Sequence, residues 1–256
     1  MTVALYVPGD RPDRFAKAVA SGADIVILDL EDAVAHDRKA RARQAVVAFL
    51  EERGAAGLQV RIGGLEDLES LAAHDVELRV PKVRGPEDLD AVVDRLGAAR
   101  RLHAIVEDAA GIGQLEEIAA HPAVVSVALG ESDLRSDLGA SSPAMLEHLR
   151  IRLVLAVRAA GLPAPLMSVY SAIADLEGLE ADSRSGAALG FGGRTAVHPA
   201  QIAPIRRAFA PSAGEVAWAE EVLAALDSAA GVTTLADGQM VDEAMRRRAE
   251  RILARR

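Results

Sequence analysis

Cysteine is absent from the 256 residues, which excludes disulfides, thiolate chemistry and zinc–sulfur sites. Lysine is scarce: it occurs only at positions 17, 39 and 82, so arginine supplies the rest of the 29 basic residues. No apolar run reaches the ~20 residues of a membrane span. The start, MTVALYVPGD, has neither a basic leader nor a long apolar core, so the expectation is a soluble cytoplasmic protein without membrane contact. No stretch is basic apart from the last helix, and the net charge is −9. Nucleic acid, which needs clustered basic residues, is therefore not expected as a partner. The spacings HxH, HExxH and GxGxxG do not occur, which removes the usual zinc and dinucleotide fingerprints.

Half of the residues are hydrophobic, enough for a sizeable core. The segment IVILDLED places four apolar residues directly before Asp29, Glu31 and Asp32. Such a run reads as a strand buried on both faces, as in a parallel sheet under helices. The pattern recurs in IVED, ending at Glu107 and Asp108, and in VALGESD, ending at Glu131 and Asp133. Acids crowded at several strand exits repel unless a cation, a basic partner or a shared proton joins them.

Strands are expected at 3–7, 24–30, 58–62, 77–83, 102–107, 124–130, 165–170 and 194–198, with amphipathic helices between them. That alternation predicts right-handed βαβ units and an α/β fold, a (β/α)8 TIM barrel over 1–210. An open doubly wound sheet is the alternative, but it would want a glycine-rich phosphate turn where VPGDRPDRF stands. Residues 211–256 are surplus to the barrel. Ser212 is a candidate cap and Gly231 a candidate stop for one helix, and a second helix follows. This C-terminal helical extension is expected to pack on its own subunit or reach a neighbour.

Barrel chemistry sits at the C-terminal strand ends. Read in order, these ends offer Arg14, then Asp29, Glu31 and Asp32, then Arg61, Lys82, Glu107, Asp133, Tyr170 and His198. Acids are numerous enough for a divalent cation and arginines for an anionic substrate. Magnesium suits such a set, since it needs one or two protein carboxylates plus water and substrate oxygens.

The ordered segments VPGDRPDRFAKAVASGADIVILDLEDAV, VRI, VPK, VEDAAGI, ALGESDLRSDLG, DLEGL, GFGGRTAVHPAQI and GQMVD span nearly the whole chain. Together they resemble the citrate lyase β-subunit-like proteins of the HpcH/HpaI aldolase superfamily. The resemblance implies a homotrimeric (β/α)8 barrel that uses Mg²⁺ to cleave or form a carbon–carbon bond in 3-hydroxyacyl-CoA thioesters such as malyl-, citramalyl- or citryl-CoA. It further implies metal ligation by Glu107 and Asp133 and substrate binding by Arg14, Arg61, Glu107 and Asp29. Catalytic roles are implied for Arg61, Asp32 and Asp242, the last inserted into a neighbour's site as general acid/base.

Three departures from the family pattern bear on acyl-group specificity. Asp108 adds a charge after Glu107, Ser132 stands within GESD where GAED is usual, and Gly63 replaces the amide that usually follows the arginine. Simpler roles are open for several residues. Glu31 could pair with an arginine, Lys82 could be a barrel-mouth ion-pair partner, and His198 could brace the eighth strand end. Asp242 could cap the last helix, Val216, Ala219, Val222 and Leu223 read as helix packing, and Arg246 to Arg248 read as a solvated face. A class II aldolase acting on free 2-oxo acids and an auxiliary subunit of an acyl-carrier lyase complex are the alternative functions.

Overall fold

The computed structural model describes residues 1–228 and 232–254. β1 (Thr2–Pro8) leads through α1 (Phe15–Val19) to β2 (Ile25–Asp29) and α2 (Lys39–Arg53). Next come β3 (Leu58–Arg61), α3 (Leu68–Leu71), β4 (Glu77–Val80) and α4 (Pro86–Leu96). β5 (Leu102–Val106) precedes α5 (Ala109–Gly113) and α6 (Leu115–Ala120), and β6 (Val124–Leu129) precedes α7 (Glu131–Leu138) and α8 (Pro143–Ala159). β7 (Leu166–Met167), α9 (Leu176–Leu189), β8 (Gly193–Ala196) and α10 (Ile202–Phe209) complete the alternation.

All eight strands pair in parallel in the order β6-β5-β4-β3-β2-β1-β8-β7. This is a nearly closed (β/α)8 barrel, in which no ladder joins β6 to β7 among the described residues. The open seam has a local cause. β7 contains two residues where six were expected. Pro165 brings no N–H to a ladder, and the segment after Met167 turns away to line a cavity with Ser168 and Val169. Elsewhere the apolar runs are buried as their composition requires: Val26, Ile27 and Leu28 on β2, and Leu58 and Val60 on β3. α2 turns Ala42, Val46 and Leu50, spaced by four, toward that core.

The chain divides into two compact units, Thr2–Ala208 and Phe209–Arg256 together with Met1. The second contains α11 (Ala213–Ser228), a short hairpin of β9 (Thr233–Thr234) and β10 (Met240–Val241), and α12 (Glu243–Leu253). Ala219, Val222 and Leu226 bury against Leu235, Val241, Ala249 and Ile252, with Leu223 packed beside them. Val216 is only half-buried. Ser212 caps α11 reciprocally: its Oγ accepts from Glu215 N at 3.2 Å, and Glu215 Oε2 accepts from Ser212 N at 2.8 Å. Gly231, the expected stop of that helix, lies outside the described residues. The arginine run is more than a solvated face. Arg246 is paired with Asp227 and Glu243, and the Arg248 guanidinium lies 4.6 Å from the Trp218 ring centre. No helix among the described residues is long and apolar enough to cross a membrane.

Candidate active site

A cavity of about 390 Å³ opens among the strand exits, lined by Asp29, Asp32, Glu107, Glu131 and Asp133 with only two cations, Arg61 and Arg79. The parallel register explains the convergence. Asp29 lies opposite Arg61, and Arg61 opposite Arg79, so side chains from β2, β3 and β4 meet at one level.

Arg61 is held as a fork. Its Nε donates to Asp29 Oδ1 at 2.7 Å and its Nη2 to Asp29 Oδ2 at 2.6 Å, while Nη1 lies 2.7 Å from Glu31 Oε2. Burial works against its charge, but the Asp29 and Glu31 carboxylates and the nearby Tyr6 raise its pKa further above the usual arginine range. Asp29 is fully buried and also accepts from the backbone N–H groups of Glu31 and Ala33. Asp32, by contrast, is exposed and stands 3.8 Å from Arg61.

Glu31 also meets Lys82, whose Nζ lies 2.7 Å from Oε1. Lys82 has a left-handed backbone, φ 56°, alone among the described non-glycine residues. A non-glycine residue there costs of order 1–3 kcal/mol and persists where its surroundings over-determine it. The contact with Glu31 raises the Lys82 pKa. Lys82 is therefore a barrel-mouth ion-pair partner, one of the simpler roles open to it.

Glu107 directly follows β5 and is almost fully buried, and its Oε2 has no hydrogen-bond partner. Burial, reinforced by the charges of Glu31 and Asp133, pushes its pKa up to about 7. Gly130 makes room for it: a Cβ at Gly130 would stand 2.5 Å from Glu107 Cγ. Asp133 enters from the first turn of α7 and is exposed. Among the described residues no three Asp, Glu or His side chains are grouped closely enough to hold a metal by themselves. The pair still fits a magnesium ion, which takes most of its ligands from water and substrate. An unpartnered buried carboxylate oxygen in a cavity with five acids against two arginines also calls for a cation.

Glu131, a strand-exit acid like Asp133, has a different place. Arg150 grips it at 2.8 and 2.9 Å and also pairs with Asp182 at 2.8 Å, which in turn pairs with buried Arg194 at 2.7 Å. This chain ties α7, α8, α9 and β8 together beside the open seam. Asp108 caps α5 through Gly111 N and pairs with Arg84, so its added charge is already met. At Gly63 a Cβ would lie 2.6 Å from Leu30 O, and the Gly63 N–H instead donates to Asp67. A side-chain amide has no room there. Ser132 is exposed at the cavity edge.

Arg14 ends an exposed 3-10 turn and is not among the cavity-lining residues. Tyr170 donates to Asp175 at 2.7 Å. His198 Nδ1 accepts from Ala200 N at 3.2 Å and caps the turn after β8, which makes it a brace. Asp242 belongs to the C-terminal unit, where it caps α12 by accepting from Ala244 N and Met245 N. Arg79 had no signal in the sequence beyond a basic residue inside the short strand ELRV.

Residues 2–199 match the HpcH/HpaI aldolase/citrate lyase family. A citrate lyase subunit beta-like protein of Mycobacterium tuberculosis is 38 % identical over 264 residues, covering 98 % of this chain and 94 % of the relative. An L-malyl-CoA/beta-methylmalyl-CoA lyase of Cereibacter sphaeroides is 32 % identical, covering 97 % and 92 %. A (3S)-malyl-CoA thioesterase of the same organism is 37 % identical, covering 93 % and 88 %. Among solved structures, CitE from Mycobacterium tuberculosis in complex with magnesium, acetoacetate and coenzyme A superposes with a TM-score of 0.87 at 37 % identity, covering 99 % of this chain and 97 % of that one.

Proposed function

This chain belongs to the HpcH/HpaI aldolase/citrate lyase family, and from that premise we propose that it is a Mg²⁺-dependent carbon–carbon lyase. Its substrate would be a short 3-hydroxyacyl-CoA thioester, cleaved to an acyl-CoA and a 2-oxo acid or formed from them. The observation that carries this reading is the unpartnered buried Oε2 of Glu107, with the Asp133 charge acting on the same carboxylate.

Glu107 and Asp133 would hold the metal. When bound, Mg²⁺ would supply positive charge beside the substrate hydroxyl oxygen, which becomes negative as its proton leaves. Arg61, its orientation fixed by Asp29, would stand near developing negative charge and lower the barrier in addition to binding. Asp32, exposed at the rim, would accept a proton from the substrate hydroxyl. Asp242 would exchange the proton at the thioester α-carbon. For that, the segment 211–256 would dock on a neighbouring copy in a homotrimer, so that each subunit donates one tail and receives one. Arg14 would meet the CoA moiety outside the cavity. The enzyme would act in the cytoplasm, on acyl-CoA thioesters present there.

A second reading comes from the thioesterase relatives: hydrolysis of the thioester in place of carbon–carbon cleavage. Mass spectrometry of malyl-, citramalyl- and citryl-CoA after incubation, with and without Mg²⁺, separates the two. The lyase reading expects acyl-CoA and a 2-oxo acid only with Mg²⁺. Free CoA and an intact hydroxy diacid or triacid would support hydrolysis, and no turnover of any of the three would remove both readings.

A further inference from the structure

Two arginines line the cavity, and they differ in one respect. Arg61 is already neutralised, since each of its nitrogens faces a carboxylate of Asp29 or Glu31. Arg79 is 3 % exposed and forms no ion pair among the described residues. Its Nε donates to Gln59 Oε1 at 2.7 Å. The Gln59 amide donates in turn to Glu77 Oε2 at 2.9 Å, and His103 Nε2 lies 2.8 Å from the same oxygen. His103 Nδ1 is 2.6 Å from Ser126 Oγ. A barrel interior is ordinarily filled by branched apolar side chains. Here a polar column from β3, β4, β5 and β6 replaces that packing and holds one guanidinium from the side of the strand N-termini.

A buried cation without a paired anion is costly: burial, with the nearby Arg61 charge, lowers the Arg79 pKa, against a smaller opposing effect of Tyr6 and Glu77. Glu77 acts on it only at a distance, its oxygens being in contact with Gln59, His103 and Arg101. The cost is removed when an anion enters the cavity and meets the fork, which can hold a carboxylate in two-pronged fashion.

We propose that Arg79 is an anion-recognising residue of the cavity and selects substrates whose 2-oxo acid half carries a second carboxylate. The proposal rests on the lyase reading above. One carboxylate of the oxo acid would lie at the metal that Glu107 and Asp133 would hold, near Arg61; the second, desolvated deeper in the barrel, needs a cation of its own. Gln59 is a positioning residue that fixes the direction of the fork.

The test is calorimetric titration of the full-length protein in Mg²⁺ buffer with pyruvate and with freshly prepared oxaloacetate, which differ by one carboxylate. The expected result is oxaloacetate binding ~10-fold or more tighter than pyruvate, as one two-pronged ionic contact allows. In Arg79→Met the ratio should fall to about one while pyruvate affinity changes by less than ~3-fold. Gln59→Leu should give an intermediate ratio. Arg79→Lys keeps the charge and loses the fork, so it should also lower the ratio and serves if Arg79→Met does not fold. An unchanged ratio in the Arg79 variants, an equal loss for both acids, or no preference in the wild type overturns the proposal. Failure of the wild type to bind either acid overturns the 2-oxo acid reading of the site and this proposal with it.

Discussion

Arg61 and Asp29 face one another through two parallel contacts, 2.7 Å at Nε and 2.6 Å at Nη2. Asp29 is fully buried and bound by two backbone N–H groups, so the acid sets the direction of the arginine. The pair links the end of the second strand to the end of the third at the level of the cavity.

Lysine cannot reproduce that fork. Arg61→Lys should lose about 2 kcal/mol or more of transition-state stabilisation, by analogy with removal of one oxyanion donor. Asp29→Asn should lower kcat through a misdirected Arg61 while the fold survives. Steady-state kinetics read both, and near wild-type turnover in Arg61→Lys would reduce Arg61 to a structural role.

The raised pKa of Glu107 sets a pH dependence for the metal-free chain. Its folded pKa of about 7 exceeds the ordinary 4.5, so the folded chain binds the proton more tightly than the unfolded one. The corresponding stability is full below the ordinary value and is lost as pH rises through about 7. For a buried carboxyl the difference is roughly 3 kcal/mol across that window. Urea unfolding of chelator-treated protein, wild type against Glu107→Gln, measures it. The wild type should lose more stability than the variant as pH rises, and identical pH profiles would show that Glu107 ionises normally.

The strand pattern was readable because parallel strands buried on both faces appear as unbroken apolar runs. IVILDLED marked both a strand and the acids at its exit. The polar column was less readable. Gln59, Arg79 and His103 lie on three different strands, and only the parallel register of β3, β4 and β5 brings them together. Glu131 and Asp133 carry the same local signal, an acid after a strand. What separates them is Arg150, nineteen residues on in a helix, whose contact with Glu131 leaves no local mark. PLMSVY has the composition of a six-residue strand, but β7 pairs only at Leu166 and Met167, since Pro165 has no N–H for a ladder and Ser168 and Val169 line the cavity. At Gly63 the missing amide was plain from the motif, but the nearby Leu30 carbonyl that excludes a side chain was not.

If Asp242 acts on a neighbouring copy, two inactive variants should rescue one another. Mixing Asp242→Ala and Glu107→Ala subunits after mild dissociation should restore part of the activity, since some interfaces then pair an intact barrel with an intact tail. Mixed oligomers that form and stay inactive, or a fully active monomer, would remove the shared site.

The central claim is that Glu107 and Asp133 together hold one Mg²⁺ at the barrel mouth. Calorimetric Mg²⁺ titration of the wild type, Glu107→Gln and Asp133→Asn tests it most directly, with circular dichroism to verify the fold. The account predicts one site per chain in the wild type and its loss in either variant with the fold retained. Unaltered Mg²⁺ affinity in both folded variants would contradict it.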